Sequence, residues 1–151
     1  MTQAPSTKKS GAGGFSEAER AAIKERAKEL KAEGRSGQKK ADNERAALDA
    51  IAEMPDADRV LAERIHALVI ANAPELLPKT WYGMPAYANT DGNLVCFYKA
   101  AAKFEGRYAV LGFEDSAMLD DGPMWPVVFA IVEWTPAVEK EIVSLVKAAV
   151  A

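Results

Sequence analysis

The sequence predicts a single α+β domain, in which helices precede an antiparallel sheet of four or more strands and a last helix closes the chain. Apolar residues recur at helical spacing up to Ala73, and they alternate with a period of two between Thr80 and Trp134. Helical spacing returns after Thr135. An antiparallel sheet with helices packed over one face accommodates this order of elements.

Composition is that of an ordinary globular protein, with 49% hydrophobic and 27% charged residues among 151. The longest apolar run, Pro126 to Val132, is too short to span a membrane. The first residues contain no apolar segment typical of a secretory signal. Cys96 is the single cysteine, so no intramolecular disulfide can form. We therefore expect a cytoplasmic protein with no membrane partner.

Charge is distributed unevenly between the two parts of the chain. Residues 1–45 carry eleven Lys or Arg against seven Asp or Glu, whereas residues 46–151 carry eight against fifteen. Because binding to phosphates requires clustered basic residues, the acidic body argues against nucleic acid as the main partner. A nucleic-acid hypothesis would have to use the basic front, at Lys8, Lys9, Lys39 and Lys40.

The N-terminal part of the chain offers little apolar surface. Residues 1–14 have almost nothing to bury, which predicts a disordered tail. A helix is predicted from Ser16 to about Glu33, because Ser16 and Glu19 have the spacing of a capping box. Its apolar stripe is thin, so we expect it to contribute little to the core. Parallel acidic and basic stripes predict a solvated charged face, and the acidic stripe is Glu25, Glu29 and Glu33.

A polar segment rich in helix breakers, residues 34–43, predicts a linker. Residues 15–45 are therefore interpreted as an N-terminal helical extension with a linker, and residues 46–151 as the α+β domain. Its first helix should be capped near Asp42 or Asn43 and should end at Pro55. Three apolar residues are expected on the buried face of this helix: Leu48, Ile51 and Met54.

A third helix is predicted from about Asp56 or Asp58 to Ala73, because its apolar residues follow a good amphipathic pattern. Residues 80–89 follow as one strand that Gly83 interrupts or bulges. An Asp-Gly pair after it predicts a tight hairpin. Three further strands are expected at residues 94–98, 107–113 and 127–134. Thr135 should cap the last helix, with Pro136 in its first position.

Few residues are available for catalysis or for a conventional metal site. One histidine and one cysteine cannot build a zinc site of the usual nitrogen and sulfur ligands in one chain. His66 is interpreted as a surface or boundary residue, and Cys96 as a buried, inert thiol.

The connection between the third and fourth strands contains four carboxylates, which suit a hard cation. They equally suit a solvated acidic loop. These residues are Glu114, Asp115, Asp120 and Asp121.

The segment "TWYGMPAY", residues 80–87, combines aromatic rings, a methionine, a glycine and a proline. Because proline cannot donate a hydrogen bond to a neighbouring strand, the segment should lie at a sheet edge or a bulge. There it would form either the wall of a pocket or a strip for docking a protein. The alternative is that its rings pack beneath a helix. The candidate binding residues are Trp81, Tyr82, Gly83, Met84, Pro85 and Tyr87.

Two quoted stretches carry a resemblance to a known family: "APELLPKTWYGMPAYANTDGNLVCFY" and "KFEGRYAVLGFEDSAMLDDGPMWPVVFAIVEW". With the helices around them they resemble the YdhG-like family, a domain of unknown function over about residues 46–151. Its most specific element is the segment from Trp81 to Tyr87. One member is regarded as a frataxin-like intracellular iron chaperone. The resemblance implies a curved antiparallel sheet, a cytoplasmic location, a role that is non-enzymatic or of unknown activity, and iron held by surface carboxylates.

Three functional hypotheses follow from the residues and the resemblance. The first is a small non-enzymatic binding protein, a frataxin-like chaperone that holds labile iron at the four loop carboxylates and passes it to a protein partner. The second is a protein-binding or small-ligand-binding module that uses the segment from Trp81 to Tyr87. The third is an enzyme in which Glu114 or Asp115 acts as acid or base beside Tyr82.

Overall fold

The computed structural model describes residues 14–33 and 40–151. These residues form four helices and a five-stranded antiparallel sheet, which confirms the predicted α+β class. The helices are α1 (Glu17–Glu33), α2 (Lys40–Ala52), α3 (Asp56–Asn72) and α4 (Pro136–Ala149). The strands are β1 (Leu77–Trp81), β2 (Met84–Ala88), β3 (Leu94–Lys99), β4 (Ala109–Phe113) and β5 (Val128–Ile131). Their order in the sheet is their order in the chain.

The predicted helix starts at Ser16 and Thr135 are both confirmed by their hydrogen bonds. Ser16 N–H donates to the Glu19 carboxylate at 2.9 Å, and Glu19 N–H donates to the Ser16 hydroxyl at 3.1 Å, which completes the capping box. The Thr135 hydroxyl accepts from Val138 N–H at 3.1 Å. Within the described ranges, no helix is both long and apolar enough to cross a membrane.

Helix α2 differs from the prediction in its start and in its buried face. It begins at Lys40, inside the segment predicted as a linker, while residues 34–39 and 1–13 lie outside the described residues. Leu48 is exposed, so its placement on the buried face was wrong, and Ala47 is buried in its place. Ile51 and Met54 are buried as expected. The helix packs against β1 and β2, and a small residue at 47 allows close approach.

The segment predicted as one interrupted strand is two strands joined by a two-residue turn. Trp81 pairs with Met84, and the turn residues Tyr82 and Gly83 both have positive φ, at 54° and 78°. Positive φ at both central positions is the signature of a tight hairpin turn, so the interpretation of Gly83 as a bulge was wrong. A register shift lies instead between Tyr87 and Ala88.

The turn between β2 and β3 confirms the hairpin that the Asp-Gly pair predicted. Gly92 has a φ of 88°. The Asn89 side chain accepts hydrogen bonds from Asp91 N–H at 3.0 Å and Asn93 N–H at 2.9 Å. An asparagine that bonds to the backbone two residues later stabilises such a turn without help from the rest of the fold.

The sheet has two different faces, because side chains alternate along each strand. The inner face contributes Tyr87, Cys96, Tyr98 and Leu111 to the main buried core. Helices α3 and α4 supply the other side of this core, with Ile65, Val69, Ile142 and Val146. The outer face carries the alternate residues, among them Met84, Phe97 and Gly112, and α1 lies against part of it.

Asp58 is the one charged residue that is buried in the described part of the chain. Its two carboxylate oxygens accept hydrogen bonds from Ala101 N–H at 3.1 Å and Ala102 N–H at 3.0 Å. Its main-chain carbonyl accepts from the Tyr98 hydroxyl at 3.0 Å. These hydrogen bonds hold helix α3 against the start of the connection between β3 and β4.

His66 joins α3 to the inner face of the sheet through Tyr87. The Nδ1 atom lies 2.9 Å from the Tyr87 hydroxyl oxygen. In a neutral ring this nitrogen can accept a hydrogen bond from the hydroxyl group. Burial lowers the pKa of the His66 imidazole below its ordinary value of 6.5, while Glu44 acts in the opposite direction. Burial also raises the pKa of the Tyr87 phenol. His66 is thus a half-buried boundary residue, as the sequence indicated.

The lowered pKa of His66 predicts a loss of stability in mild acid. As the pH falls through 6.5, the unfolded chain is protonated at this residue to a greater extent than the folded chain, so the free energy of unfolding should fall. His66 is the single histidine, and carboxylates titrate mainly below about pH 5. Urea unfolding between pH 8 and pH 5 should therefore show a pH dependence that is reduced in His66→Gln. An equal pH dependence in both proteins would show that groups other than His66 cause the loss of stability.

An aromatic cleft between helix α1 and the sheet

Helix α1 is docked on the turn between β1 and β2 through Glu29. The two carboxylate oxygens accept hydrogen bonds from Tyr82 N–H and Gly83 N–H, each at 3.0 Å. The Glu29 side chain is only 9% exposed. Its interpretation as part of a solvated stripe was therefore wrong. The carboxylate is a largely buried acceptor for a turn more than fifty residues away in the chain.

Further charged residues hold the same turn from both sides. Arg26 forms an ion pair with Glu29 at 3.4 Å, and its guanidinium lies 5.9 Å from the centre of the Tyr82 ring. The Lys103 ammonium donates to the Gly83 carbonyl at 3.2 Å. A positive φ at a residue other than glycine, such as Tyr82, is uncommon and costs about 1–3 kcal/mol. These contacts offset that strain, and they fix the direction of the Tyr82 ring.

Next to this turn a cleft of about 330 Å³ opens between the N-terminal half of α1 and the outer face of the sheet. Five aromatic rings line it, together with Ala22, Ile23 and Met84, and two charged side chains, Glu19 and Lys99. The rings are Phe15, Trp81, Tyr82, Phe97 and Phe104. This volume lies at the lower end of the range for small-molecule sites.

The position of the Phe97 ring depends on a glycine in the neighbouring strand. Phe97 pairs with Gly112 across β3 and β4, and its ring occupies the space that a Cβ atom at Gly112 would need. The ring also contacts Trp81, with 5.2 Å between ring centres. Aromatic pairs at this separation attract each other beyond their burial of apolar surface. Gly112 therefore leaves room for the Phe97 ring, which packs against Trp81 in the lining of the cleft.

Another part of the cleft lining combines an aromatic ring with positive charge. Phe104 lies in the connection between β3 and β4, which Asp58 and Lys103 attach to the rest of the domain. The Lys99 ammonium lies 5.3 Å from the centre of the Phe104 ring. A cation over an aromatic face is attracted by the ring's electron density. The cleft can therefore receive an apolar body and offer an exposed positive group in its lining.

The candidate binding residues of the segment from Trp81 to Tyr87 are divided between the two faces of the sheet. Trp81, Tyr82 and Met84 line the cleft. Gly83 lies in the turn beside it, whereas Pro85 and Tyr87 are buried on the inner side. Alternation along β2 causes this division, because Met84 and Tyr87 differ by an odd number of residues. The edge position is correct for Trp81 in β1, but Pro85 belongs to an internal strand.

Several residues of the cleft were not found from the sequence. Phe15, Phe97, Phe104 and Lys99 come from separate elements, and no spacing in the sequence connects them. One feature of the sequence could have indicated the turn at Tyr82 and Gly83. It is the glycine, which is followed by residues that alternate between the two faces of a strand. Recognition of that turn would have placed Trp81 and Met84 opposite each other on one face.

The four loop carboxylates do not line one common pocket. Asp120 and Asp121 border a hollow against α4 that also includes Glu141, whereas Glu114 and Asp115 are not part of its lining. Among residues 14–33 and 40–151 there is no group of three or more His, Cys, Asp or Glu side chains placed to hold a metal ion. Iron binding through these carboxylates stays a prediction.

The third hypothesis required Glu114 or Asp115 beside Tyr82. Neither carboxylate is part of the lining of the cleft that contains Tyr82, so the cleft offers no such pair. Cys96 is buried in the core, and burial raises the pKa of its thiol to about 12, as expected for an inert residue.

Comparisons of the chain with protein-family models, with curated proteins and with solved structures find no match. The resemblance to the YdhG-like family therefore stays a prediction that depends on the quoted residues alone. The function must be argued from the cleft itself.

Proposed function

We propose that this protein is a small-ligand-binding protein whose ligand has a flat apolar body and enters the cleft between α1 and the sheet. The observation that carries the proposal is the cleft of about 330 Å³ with five aromatic rings in its lining. Apolar cavities with a few polar groups are the usual form of small-molecule sites. This proposal develops the second sequence hypothesis, and it takes precedence over iron because the cleft residues are brought together whereas the carboxylates are divided.

The two charged groups of the cleft indicate which polar group the ligand carries. Glu19 is already the acceptor for Ser16 N–H in the capping box. Lys99 is exposed beside Phe104, and its ammonium can donate to a ligand oxygen. A planar aromatic anion therefore suits the cleft better than a planar cation, and anilinonaphthalene sulfonate is a suitable fluorescent probe.

A larger side chain in the cleft wall should block this probe. Ala22 is buried where α1 meets the sheet, and Ala22→Leu would place extra methyl groups among the aromatic rings. If the ligand has to bear an overpacking cost of about 1–3 kcal/mol, binding weakens by roughly 5- to 150-fold. Fluorescence titration with anilinonaphthalene sulfonate should show saturable binding by the original protein and weak binding by the variant.

Ala27→Leu is the matched control, because Ala27 is exposed on the same helix and the substitution is the same. It should bind the probe as the original protein does. Near-ultraviolet circular dichroism must be native in all three proteins, since loosely packed states also bind this dye. Equal affinity in the two variants, or no saturable binding by the original protein, would refute the proposal.

A further inference from the structure

Strand β5 forms an exposed apolar edge of the sheet. It is the last strand in the order of the sheet, and only β4 pairs with it. Its outer-face residue Val128 is 59% exposed, and Val132, just beyond its end, is 76% exposed. The strand thus presents apolar side chains next to an open backbone edge. Exposed edges with this character are unusual, because they can pair with a strand of another chain.

The hydrogen-bond pattern shows which backbone groups point away from β4. Phe113 N–H donates to the Val127 carbonyl at 2.8 Å, and the register places Leu111 opposite Phe129. In an antiparallel pair, hydrogen-bonded positions alternate with positions whose backbone groups face the other side. Val127 and Phe129 therefore bond to β4, whereas Val128 and Ala130 direct their N–H and C=O groups towards the free edge. Such an array of donors and acceptors matches another β-strand.

The opposite edge of the sheet is protected in three ways that β5 lacks. Strand β1 contains Pro78, which cannot donate a hydrogen bond, and Lys79, which carries charge. Both are common means of preventing edge pairing. By contrast, residues 122–132 contain no charged side chain. Helix α2 also packs against β1, and every residue of that strand is half-buried.

We propose that β5 pairs antiparallel with β5 of a second copy of this chain, so that two sheets join into one. A second copy is the partner because a strand without charge can pair with itself without like-charge repulsion. Antiparallel pairing about a two-fold axis uses the same surface on both copies. With Ala130 on the axis, Val128 lies opposite Val132 of the second copy, and both exposed valines become covered. The protected β1 edge then ends the assembly at two copies.

Sedimentation of the full chain over a range of concentrations tests this pairing. The original protein should be a dimer that dissociates on dilution, and Ala130→Lys should be a monomer, because two lysines would then lie directly opposite each other. Leu48→Lys removes an exposed apolar side chain from α2, away from β5, and should remain a dimer. A monomeric original protein at every concentration, or a dimer in both variants, would overturn the proposal.

Hydrogen exchange provides a second measurement that requires no substitution. The amides of Val128 and Ala130 should exchange slowly at high protein concentration and faster after dilution, while the Phe129 amide should change much less. Fast exchange at Val128 and Ala130 at high concentration would overturn the proposal even if a dimer were present, because another surface would then form it.

Discussion

Replacement of Asp58 by alanine is expected to lower the free energy of unfolding by about 2–4 kcal/mol. Hydrogen bonds to charged groups contribute about 1.5–3 kcal/mol each, and water can replace part of this at the half-buried Ala101 and the exposed Ala102. The carboxylate accepts from two successive amides, at Ala101 and Ala102, and it is only 5% exposed. The substitution would leave both N–H groups without their acceptor. For a chain of this size the midpoint of thermal unfolding should fall by roughly 5–15 °C.

Asp56→Ala is the matched control for this experiment. Asp56 lies two residues earlier in the same helix, and its side chain is 91% exposed in an ion pair with Arg59. Exposed pairs of this kind contribute about 0–1 kcal/mol. The midpoint of thermal unfolding of Asp58→Asn should lie between those of the two alanine variants. Its single amide oxygen can accept only part of the hydrogen bonding that the two carboxylate oxygens accept. Equal midpoints in Asp58→Ala and Asp56→Ala would show that the hydrogen bonds of Asp58 contribute little to stability.

The elements that the sequence predicted well are those whose signals are local. Helix α4 has its cap, its proline and its apolar stripe within residues 135–149, and the β2–β3 turn has Asn89 and Gly92 within four residues. Each signal acts through bonds between neighbours in the chain. Tertiary packing has little opportunity to override them, so α4 and this turn could be predicted.

The elements that the sequence did not predict depend on partners far away in the chain. Tyr82 adopts a positive φ that its own residue type disfavours, and Glu29 supplies the acceptor for its N–H. Glu29 and Asp58 look like ordinary helix-surface carboxylates in the sequence, since an acidic residue at helical spacing has the same pattern in either role. Only the fold shows that each accepts from two consecutive amides of a distant connection.

The cleft could be predicted only in part for the same reason. Trp81, Tyr82 and Met84 were among the candidates because they are adjacent in the chain. The rings of Phe15 and Phe104 join them only because Glu29 brings α1 to the turn and Asp58 attaches the β3–β4 connection to α3. Two carboxylates, the buried Asp58 and the largely buried Glu29, therefore assemble a site in which neither of them is part of the lining.

Glu29→Ala is expected to release α1 from the sheet and to abolish the cleft as a binding site. The carboxylate makes two charge-assisted hydrogen bonds, and the loss of even one should raise hydrogen exchange in α1 by roughly tenfold or more. The amides of α3 and α4 should keep their protection, because their core does not include α1. Glu17→Ala, at an exposed position of the same helix, is the control and should leave exchange unchanged.

The same variant separates two ways in which the cleft could hold a ligand. If α1 supplies an essential wall through Ala22 and Ile23, binding of anilinonaphthalene sulfonate should fall together with the protection of α1. If α1 keeps its protection in Glu29→Ala, its apolar contacts dock it and the carboxylate serves mainly the Tyr82 turn. If protection falls while affinity is kept, the ligand contacts the sheet alone, and the rings of Trp81, Phe97 and Phe104 are sufficient to bind it.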